Sequence, residues 1–318
     1  MMQWNCCLWL ALAPVYCGLT ATALVSPHTP LLRFLSQHGK TRIISTKKKA
    51  PPPSLARVWN VTVPKRWFTH FYVMGLFNAV VVLRRRSIDV PSVLLLLHLS
   101  RRLMECLLVH KWSTGSKMHL AGYLLGILHY LMLPWVFYSK IIGMQAPSEM
   151  TGEAIGRPQQ NDIWVATIII LNVYFQYQQY RHHCILAQLR QNQQTTSNSS
   201  TSYQIPTEGW FQWITCPHYL AEIGIYGSFA LLLSTEPQPP AYDNCLSTTM
   251  ISNNASLVLM FGFQHVQWFL FTWVASNLSV AAQSSHQWYR LNLSARELQG
   301  RKALIIPAAK VLRQKFCI

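Results

Sequence analysis

Four polar residues in an otherwise apolar stretch have the spacing of a single helical face. His98, Arg101, Arg102 and Glu105 follow the pattern i, i+3, i+4 and i+7, so one side of a helix would carry all four. Charged side chains are costly at membrane depth, and they face a bundle interior or a polar cavity where they serve a function. The alternative is structural, because an internal Arg–Glu pair could hold two helices in register.

A second polar pair lies near the start of another apolar stretch. His218 and Glu222 are four residues apart and share a helical face that begins at Pro217, a residue suited to a first helical turn. Glu222 and Glu105 are the only acidic residues within the membrane spans predicted below. A His–Glu pair can bind a metal ion, but no H-E-x-x-H motif accompanies it. We therefore predict no metal ion.

Further polar residues collect at the ends of two later apolar stretches. They are Gln178, Gln179, His182, His183 and Arg190 after one stretch, and His286 and Tyr289 after the last. The aromatic residues among them could be interfacial anchors. They could equally line a site at which a phosphate-bearing cofactor enters from the cytosol. The sequence has no G-x-G-x-x-G or P-loop motif that would hold such a cofactor in a soluble fold.

The composition indicates that membrane helices position these residues. Hydrophobic residues make up 51% of the 318-residue chain and charged residues only 12%, whereas a soluble protein has about a quarter charged residues. The net charge of +17 lies mainly beside apolar stretches, as in membrane proteins. We predict no nucleic-acid binding, because the basic residues come without a zinc-finger spacing, an RNP-like motif or a helix-turn-helix pattern.

The apolar stretches predict an all-α membrane protein, a bundle of about seven transmembrane helices in a single domain. A span needs about 20 residues. The candidates are about 4–25, 67–83, 92–110, 118–142, 163–180, 217–234 and 256–280. The first lacks a basic n-region and a clear cleavage site, so we interpret it as a retained span.

The loop charges predict the orientation. A basic loop at 26–66, the segment 181–216 and a basic tail at 281–318 would lie in the cytosol, which places the C-terminus there. The opposite loops are mainly acidic. Arg84–Arg86 are an exception, since this topology places them on the lumenal side. Residues about 191–202 are polar and of low complexity, and predict a disordered cytosolic insert.

Four blocks of the sequence resemble the steroid 5α-reductase family, and in particular its polyprenal (polyprenol) reductase branch. They extend over about residues 30–307 in the family order. They are V-P-K-R-W-F-T-H-F-Y at 63–72; H-L-S-R-R-L-M-E-C at 98–106; H-C-I-L-A-Q-L-R at 183–190 with I-P at 205–206 and W-F at 210–211; and P-H-Y-L-A-E at 217–222 with S-H-Q-W-Y at 285–289 and R-K-A-L at 301–304.

The resemblance implies a seven-span endoplasmic-reticulum enzyme that uses NADPH to reduce the double bond of an α,β-unsaturated carbonyl. It implies that His98 polarises the carbonyl group, with Arg101 and Glu105 as supports. The residues implied to surround NADPH are Gln179, His183, Arg190, His218, Glu222, His286 and Tyr289. This sequence departs from the steroid branch, because His98 stands at the position of its Tyr and no acidic residue stands at 64–66.

The chemistry favours one substrate of this family. A conjugated aldehyde, polyprenal, has a carbonyl oxygen that can accept the developing negative charge, whereas an allylic alcohol has none. The expected reaction is therefore reduction of the α-isoprene double bond of polyprenal to dolichal, with the polyisoprenoid lipid bound within the membrane. The alternatives are a 3-oxo-Δ4 steroid as substrate, or a transporter that relays protons. The absence of inverted repeats disfavours the transporter.

Overall fold

The computed structural model of the chain describes residues 12, 14–22, 61–84, 89–112, 115–142, 160–195, 205–235, 253–292, 298 and 301–303. The backbone in these ranges is mostly helical. The helices are α1 (residues 14–22), α2 (Phe68–Leu83), α3 (Val90–Met104), α4 (Leu120–Ile142), α5 (Gln160–Thr195), α6 (Pro217–Thr235) and α7 (Asn253–Asn292). Each overlaps one of the predicted spans, which confirms the prediction of a mainly α-helical protein.

Two segments in the described ranges are long and apolar enough to cross a membrane by length and composition alone. They are Lys65–Leu83 and Leu120–Tyr138. The predicted number of seven spans stays a prediction. Many large apolar side chains are nevertheless exposed on the outer faces of the helices, including Phe77, Leu108 and Ile170. Lipid contact would explain such exposure.

Helix α3 begins with a cap that is visible in its sequence and ends in a wider turn that is not. The Asp89 carboxylate accepts a hydrogen bond from the Ser92 backbone N–H at 2.7 Å, and Pro91 occupies the first turn. At its other end the helix widens into one π-helical turn, Glu105–Val109, in which the His110 N–H donates to the Glu105 carbonyl at 2.8 Å. Such turns are often found at functional sites. Here the wider turn carries Glu105, which is buried.

A short β-ribbon was not predicted. Strand β1 (Thr62–Pro64) pairs antiparallel with β2 (Lys117–His119), with Val63 opposite Met118. Gly115, with φ of +84°, lies just before β2, and a 3₁₀ turn at Lys65–Trp67 leads from β1 into α2. The ribbon therefore fixes the position of Lys65 beside the start of α4.

Two glycines allow close helix packing in the core of the bundle. A Cβ atom on Gly126 of α4 would lie 2.5 Å from the Phe71 ring of α2, and one on Gly224 of α6 would lie 2.7 Å from the Phe175 ring of α5. Helices α5 and α6, and likewise α2 and α4, pack along much of their lengths. These contacts bring the polar stripe of α3 to the faces of α5 and α6.

Several predicted features lie wholly or partly outside the described residues. Only 12 and 14–22 of the first predicted span, 61–66 of the basic loop, Arg84 of the arginine triplet, and 281–292, 298 and 301–303 of the basic tail are described. Of the predicted disordered insert, residues 191–195 continue α5 as helix, and 196–202 lie outside the described residues.

Candidate active site

A cavity of about 500 Å³ lies at the centre of the bundle, and side chains from α1 to α7 line it. Its polar wall consists of Thr22, Lys65, Tyr72, Arg102, His110, His129, Tyr130, Gln179, His183, Arg190, His218, Tyr219, Glu222, Tyr226 and Asn277. Its apolar wall includes Leu19, Phe68, Phe71, Leu125, Leu186, Trp273, Val274 and Leu278. A volume of this size with mixed walls is typical of a ligand site.

Glu105 organises the polar residues behind the cavity. Its carboxylate is 1% exposed and contacts Arg101 through one oxygen and Arg102 through the other. The Nδ1 atom of His183 lies 2.6 Å from the second oxygen and 2.9 Å from a guanidinium nitrogen of Arg102, so the imidazole is held within this cluster. Arg102 also donates to the Tyr72 hydroxyl at 2.7 Å. The network therefore joins α2, α3 and α5.

The geometry of this network disfavours a metal ion. Ligand atoms of Glu105, His110 and His183 lie within 4.8 Å of one another, as a metal site would require. However, the Arg102 guanidinium contacts Glu105 and lies 2.9 Å from His183 Nδ1. A divalent cation placed there would meet a fixed positive charge, and the guanidinium already occupies the carboxylate. We assign these residues to positioning within the site.

Arg101 continues the network along α5 and α6. It donates to Gln179, and its Nε atom lies 3.4 Å from the Gln176 side-chain oxygen. Gln176 donates to Asn172 at 2.7 Å, which in turn donates to Ser228 of α6 at 2.7 Å. This hydrogen-bonded chain fixes the rotation of α5 relative to α3 and α6. Arg101 itself is not among the cavity-lining residues that the structure describes.

His98 lies one layer behind the cavity wall. It is fully buried, its Nε2 lies 3.5 Å from the Glu222 carboxylate, and its ring packs edge-on to Tyr226 and Phe229. Glu222 does line the cavity. The structure thus brings His98 and Glu222 together, and any action of His98 on a bound molecule would pass through Glu222 or Tyr226. Its predicted role as the carbonyl donor stays a prediction.

The residues predicted to surround the cofactor divide into two groups. Five of them line the cavity, namely Gln179, His183, Arg190, His218 and Glu222. The other two do not: His286 Nδ1 lies 2.8 Å from the Thr215 hydroxyl, and Tyr289 borders a separate space of about 10 Å³ beside Arg301. Their side chains belong to the packing around the loop before α6.

Residues 301–303, the described part of the R-K-A-L block, lie against that same loop. Lys302 forms a parallel bridge with Ile214, and Arg301 donates to the Pro206 carbonyl at 2.8 Å. The Thr215 N–H donates to the Lys302 carbonyl at 2.9 Å. These contacts hold the segment that leads into His218 on α6. The role of this block in the described structure is therefore to support the start of α6.

Sequence reasoning missed several residues of the cavity wall. Lys65 and Tyr72 lie in the V-P-K-R-W-F-T-H-F-Y block at 63–72, but only the tertiary fold shows that they reach the cavity. His129 lies within a predicted span, and an ionisable residue there is a functional signal that was available from sequence. Tyr226, one turn after Glu222, was on the predicted face but was not assigned a role.

The cavity walls fit a phosphate-bearing cofactor. Three cationic residues, Lys65, Arg102 and Arg190, line the cavity against a single carboxylate, Glu222. Arg190 is exposed and donates to the Lys111 carbonyl at 3.3 Å, so its side chain stands where an entering molecule would meet it. Cationic side chains are the usual partners of phosphate oxygens.

Unpaired polar atoms at the same walls also call for a ligand or water. Within the described residues, Glu222 Oε2, His218 Nδ1, His129 Nδ1 and Arg102 Nε are buried and have no hydrogen-bond partner. Leaving a buried polar group unsatisfied costs about 1–3 kcal/mol, more for a charged group. All four residues line the cavity, so a bound polar molecule would relieve these costs.

The chain is similar to known proteins along most of its length. The profile of a family described as 3-oxo-5-alpha-steroid 4-dehydrogenase matches residues 149–241, which include α5 and α6. A polyprenal reductase 1 of Oryza sativa subsp. indica is 25% identical, over 89% of this chain and 91% of the relative. The polyprenal reductase of Caenorhabditis elegans is 26% identical over 89% of each chain. That of Saccharomyces cerevisiae is 30% identical over 60% of this chain and 66% of the relative. As its sequence blocks predicted, the chain is similar to the steroid 5α-reductase family and, within it, to the polyprenal reductase branch.

Proposed function

We propose that this protein reduces the α-isoprene double bond of polyprenal to dolichal, with NADPH as the hydride source. The observation that carries the proposal is the alignment, along most of the chain, with curated relatives from a plant and an animal that are named polyprenal reductases. A yeast relative of the same name aligns with 60% of the chain. The product would enter dolichol synthesis and so support protein N-glycosylation.

The cavity walls suit both reactants. The polar wall offers cations for phosphate groups, and the apolar wall offers Phe68, Leu125 and Trp273 to an isoprenoid chain. Such a lipid would have to reach the site from the bilayer. We therefore propose a multi-pass protein of the endoplasmic-reticulum membrane, with about seven spans and a cytosolic C-terminus, in which the cofactor and the lipid meet within the bundle.

The cofactor, when bound, supplies a hydride, and the residues of this chain position both partners. We propose that Arg190 and Lys65 meet the phosphate groups, and that Gln179, His183 and His218 hold the remainder of the cofactor. His183 is fixed for this task by its hydrogen bond to Glu105. The predicted contributions of His286 and Tyr289 would be indirect, through the loop that leads into α6.

The substrate carbonyl requires a group that stabilises negative charge. Hydride addition at the β-carbon moves the double-bond electrons toward the carbonyl oxygen, and donors aimed at that oxygen lower the barrier. We propose that His98 serves this step with Glu222, and that Arg101 and Glu105 hold both in place. Because His98 touches Glu222 but lies behind the wall, its effect would be exerted through Glu222, which can donate to the carbonyl oxygen only as the protonated carboxylic acid.

The decisive experiment assays purified full-length protein with polyprenal and compares NADPH with NADH. We expect consumption of polyprenal and formation of dolichal with NADPH, and a much lower rate with NADH. A parallel reaction contains a 3-oxo-Δ4 steroid, because the matched family profile is described by a steroid activity. Reduction of the steroid alone would refute the proposed substrate, and reduction of neither would refute the proposed function.

A further inference from the structure

Tyr226 and His129 form a hydrogen-bonded pair in the wall of the cavity. The Tyr226 hydroxyl of α6 lies 3.2 Å from His129 Nε2 of α4, and both residues line the cavity. Tyr226 is 2% exposed and His129 is 8% exposed. Tyr226 follows Glu222 by one helical turn, so its hydroxyl belongs to the same helical face as the cofactor-side residues.

The second ring nitrogen of His129 is available. Its Nδ1 atom is buried and has no hydrogen-bond partner within the described residues. A neutral imidazole can accept a proton at one nitrogen while it releases a proton from the other. Tyr226 and His129 could therefore relay a proton. The phenol lines the cavity, and the imidazole can replace a proton that the phenol has lost.

Another cavity phenol lacks this property. The Tyr72 hydroxyl accepts a hydrogen bond from Arg102 at 2.7 Å. A guanidinium does not release a proton at neutral pH, so Arg102 cannot restore the proton of a deprotonated Tyr72. Of these two phenols, Tyr226 is the one that pairs with an imidazole, which can take up a proton at one nitrogen as it releases one from the other.

We propose that Tyr226 donates the proton that the reduction consumes and that His129 restores it. This inference rests on the proposed function. A hydride bonds to the β-carbon, the double-bond electron pair moves onto the α-carbon and carbonyl oxygen, and the α-carbon takes the proton of the Tyr226 hydroxyl. The resulting tyrosinate takes the Nε2 proton of His129 while Nδ1 takes one from water. One hydride and one proton are consumed per double bond reduced.

Substitution of Tyr226 by Phe tests the proposal in purified full-length protein. The change removes the hydroxyl and retains the ring that packs on His98 and Phe229. We expect kcat for polyprenal to fall about 100-fold, the scale of lost general-acid catalysis, while KM for NADPH changes by less than about threefold. The solvent isotope effect on kcat should rise, because water must then supply the proton in a slower step.

A second substitution and a matched control separate catalysis from packing. His129→Gln retains a hydrogen-bonding side chain but cannot relay a proton, so kcat should fall about tenfold and the solvent isotope effect should again rise. The control is Tyr123→Phe, since the Tyr123 hydroxyl pairs with His70 Nδ1 at 3.0 Å outside the cavity. Its kcat should stay within about twofold of the wild-type value.

Two results would overturn the inference. One is a Tyr226→Phe variant with near-normal kcat and an unchanged solvent isotope effect, while the wild-type protein reduces polyprenal. The other is an unchanged isotope effect in His129→Gln, which decides the matter if Tyr226→Phe does not fold. Wild-type protein that fails to reduce polyprenal would refute the proposed function itself, and this inference with it.

Discussion

Substitution of Glu105 by Gln should destabilise the protein strongly. The carboxylate is 1% exposed and contacts two guanidinium groups, those of Arg101 and Arg102, besides the imidazole of His183. The amide removes the carboxylate charge that both guanidinium groups contact, so the buried Arg102 and the partly buried Arg101 lose this ion-pair partner. Breaking a buried ion pair from one side costs roughly 3–5 kcal/mol. At about 2 °C per kcal/mol for a protein of this size, Tm should fall by roughly 6–10 °C.

The measurement is thermal unfolding of purified protein in detergent, followed in parallel with reductase activity. A suitable control is Glu208→Gln, which removes the same charge from an exposed side chain that makes no cap hydrogen bond. Its Tm should stay within about 1 °C of the wild-type value, as is usual for surface substitutions. If Glu105→Gln unfolds at the temperature of this control, the cluster does not depend on the carboxylate and our account of it is incorrect.

Three further substitutions test separate parts of the site. Arg190→Gln should raise KM for NADPH about 10- to 100-fold by removing a charge-assisted hydrogen bond, with Arg181→Gln on the exposed face of the same helix as the control. His98→Ala should abolish turnover while the Kd for NADPH, measured by fluorescence, stays nearly unchanged; wild-type rates would remove His98 from catalysis. His182 is buried beyond the predicted span 163–180, and burial lowers its pKa to about 4. Between about pH 4 and pH 6.5 the unfolded state binds more protons at this histidine than the folded state does. The free energy of unfolding is therefore unaffected by His182 above about pH 6.5, and it decreases as the pH falls toward 4. Substitution of this histidine by Phe should therefore reduce the loss of Tm between pH 7 and pH 5; an unchanged loss would contradict this account.

The polar stripe of α3 could be predicted because helical periodicity is a local property. A spacing of three and four residues places His98, Arg102 and Glu105 on one face wherever the helix lies in the bundle. Their depth relative to the cavity depends on the rotation of α3 against α5 and α6, which distant side chains determine. Arg102 consequently reaches the cavity wall, while His98 lies behind it. The family resemblance had instead implied a direct role for His98 and none for Arg102.

Residues far apart in the chain explain what the sequence did not reveal. Tyr226 and His129 are separated by 97 positions, and no pattern within either helix indicates that they meet. Their contact follows from the packing of α4 and α6 against their neighbours. A sequence signal existed only for each residue separately, since an imidazole within a predicted span requires a polar partner or a function.

The same reasoning applies to the cationic side of the cavity. Lys65 reaches the cavity because a ribbon of two three-residue strands holds the start of α2 against α4. Strands of three residues are too short to show an alternating pattern, so periodicity could not predict the ribbon. The sequence predicted only that Lys65 lies in a basic loop next to a membrane span. The structure shows that Lys65 lines the same cavity as Arg190. If both bind phosphate groups, loss of either charge should weaken NADPH binding, whereas loss of the exposed Arg66 charge beside Lys65 should not.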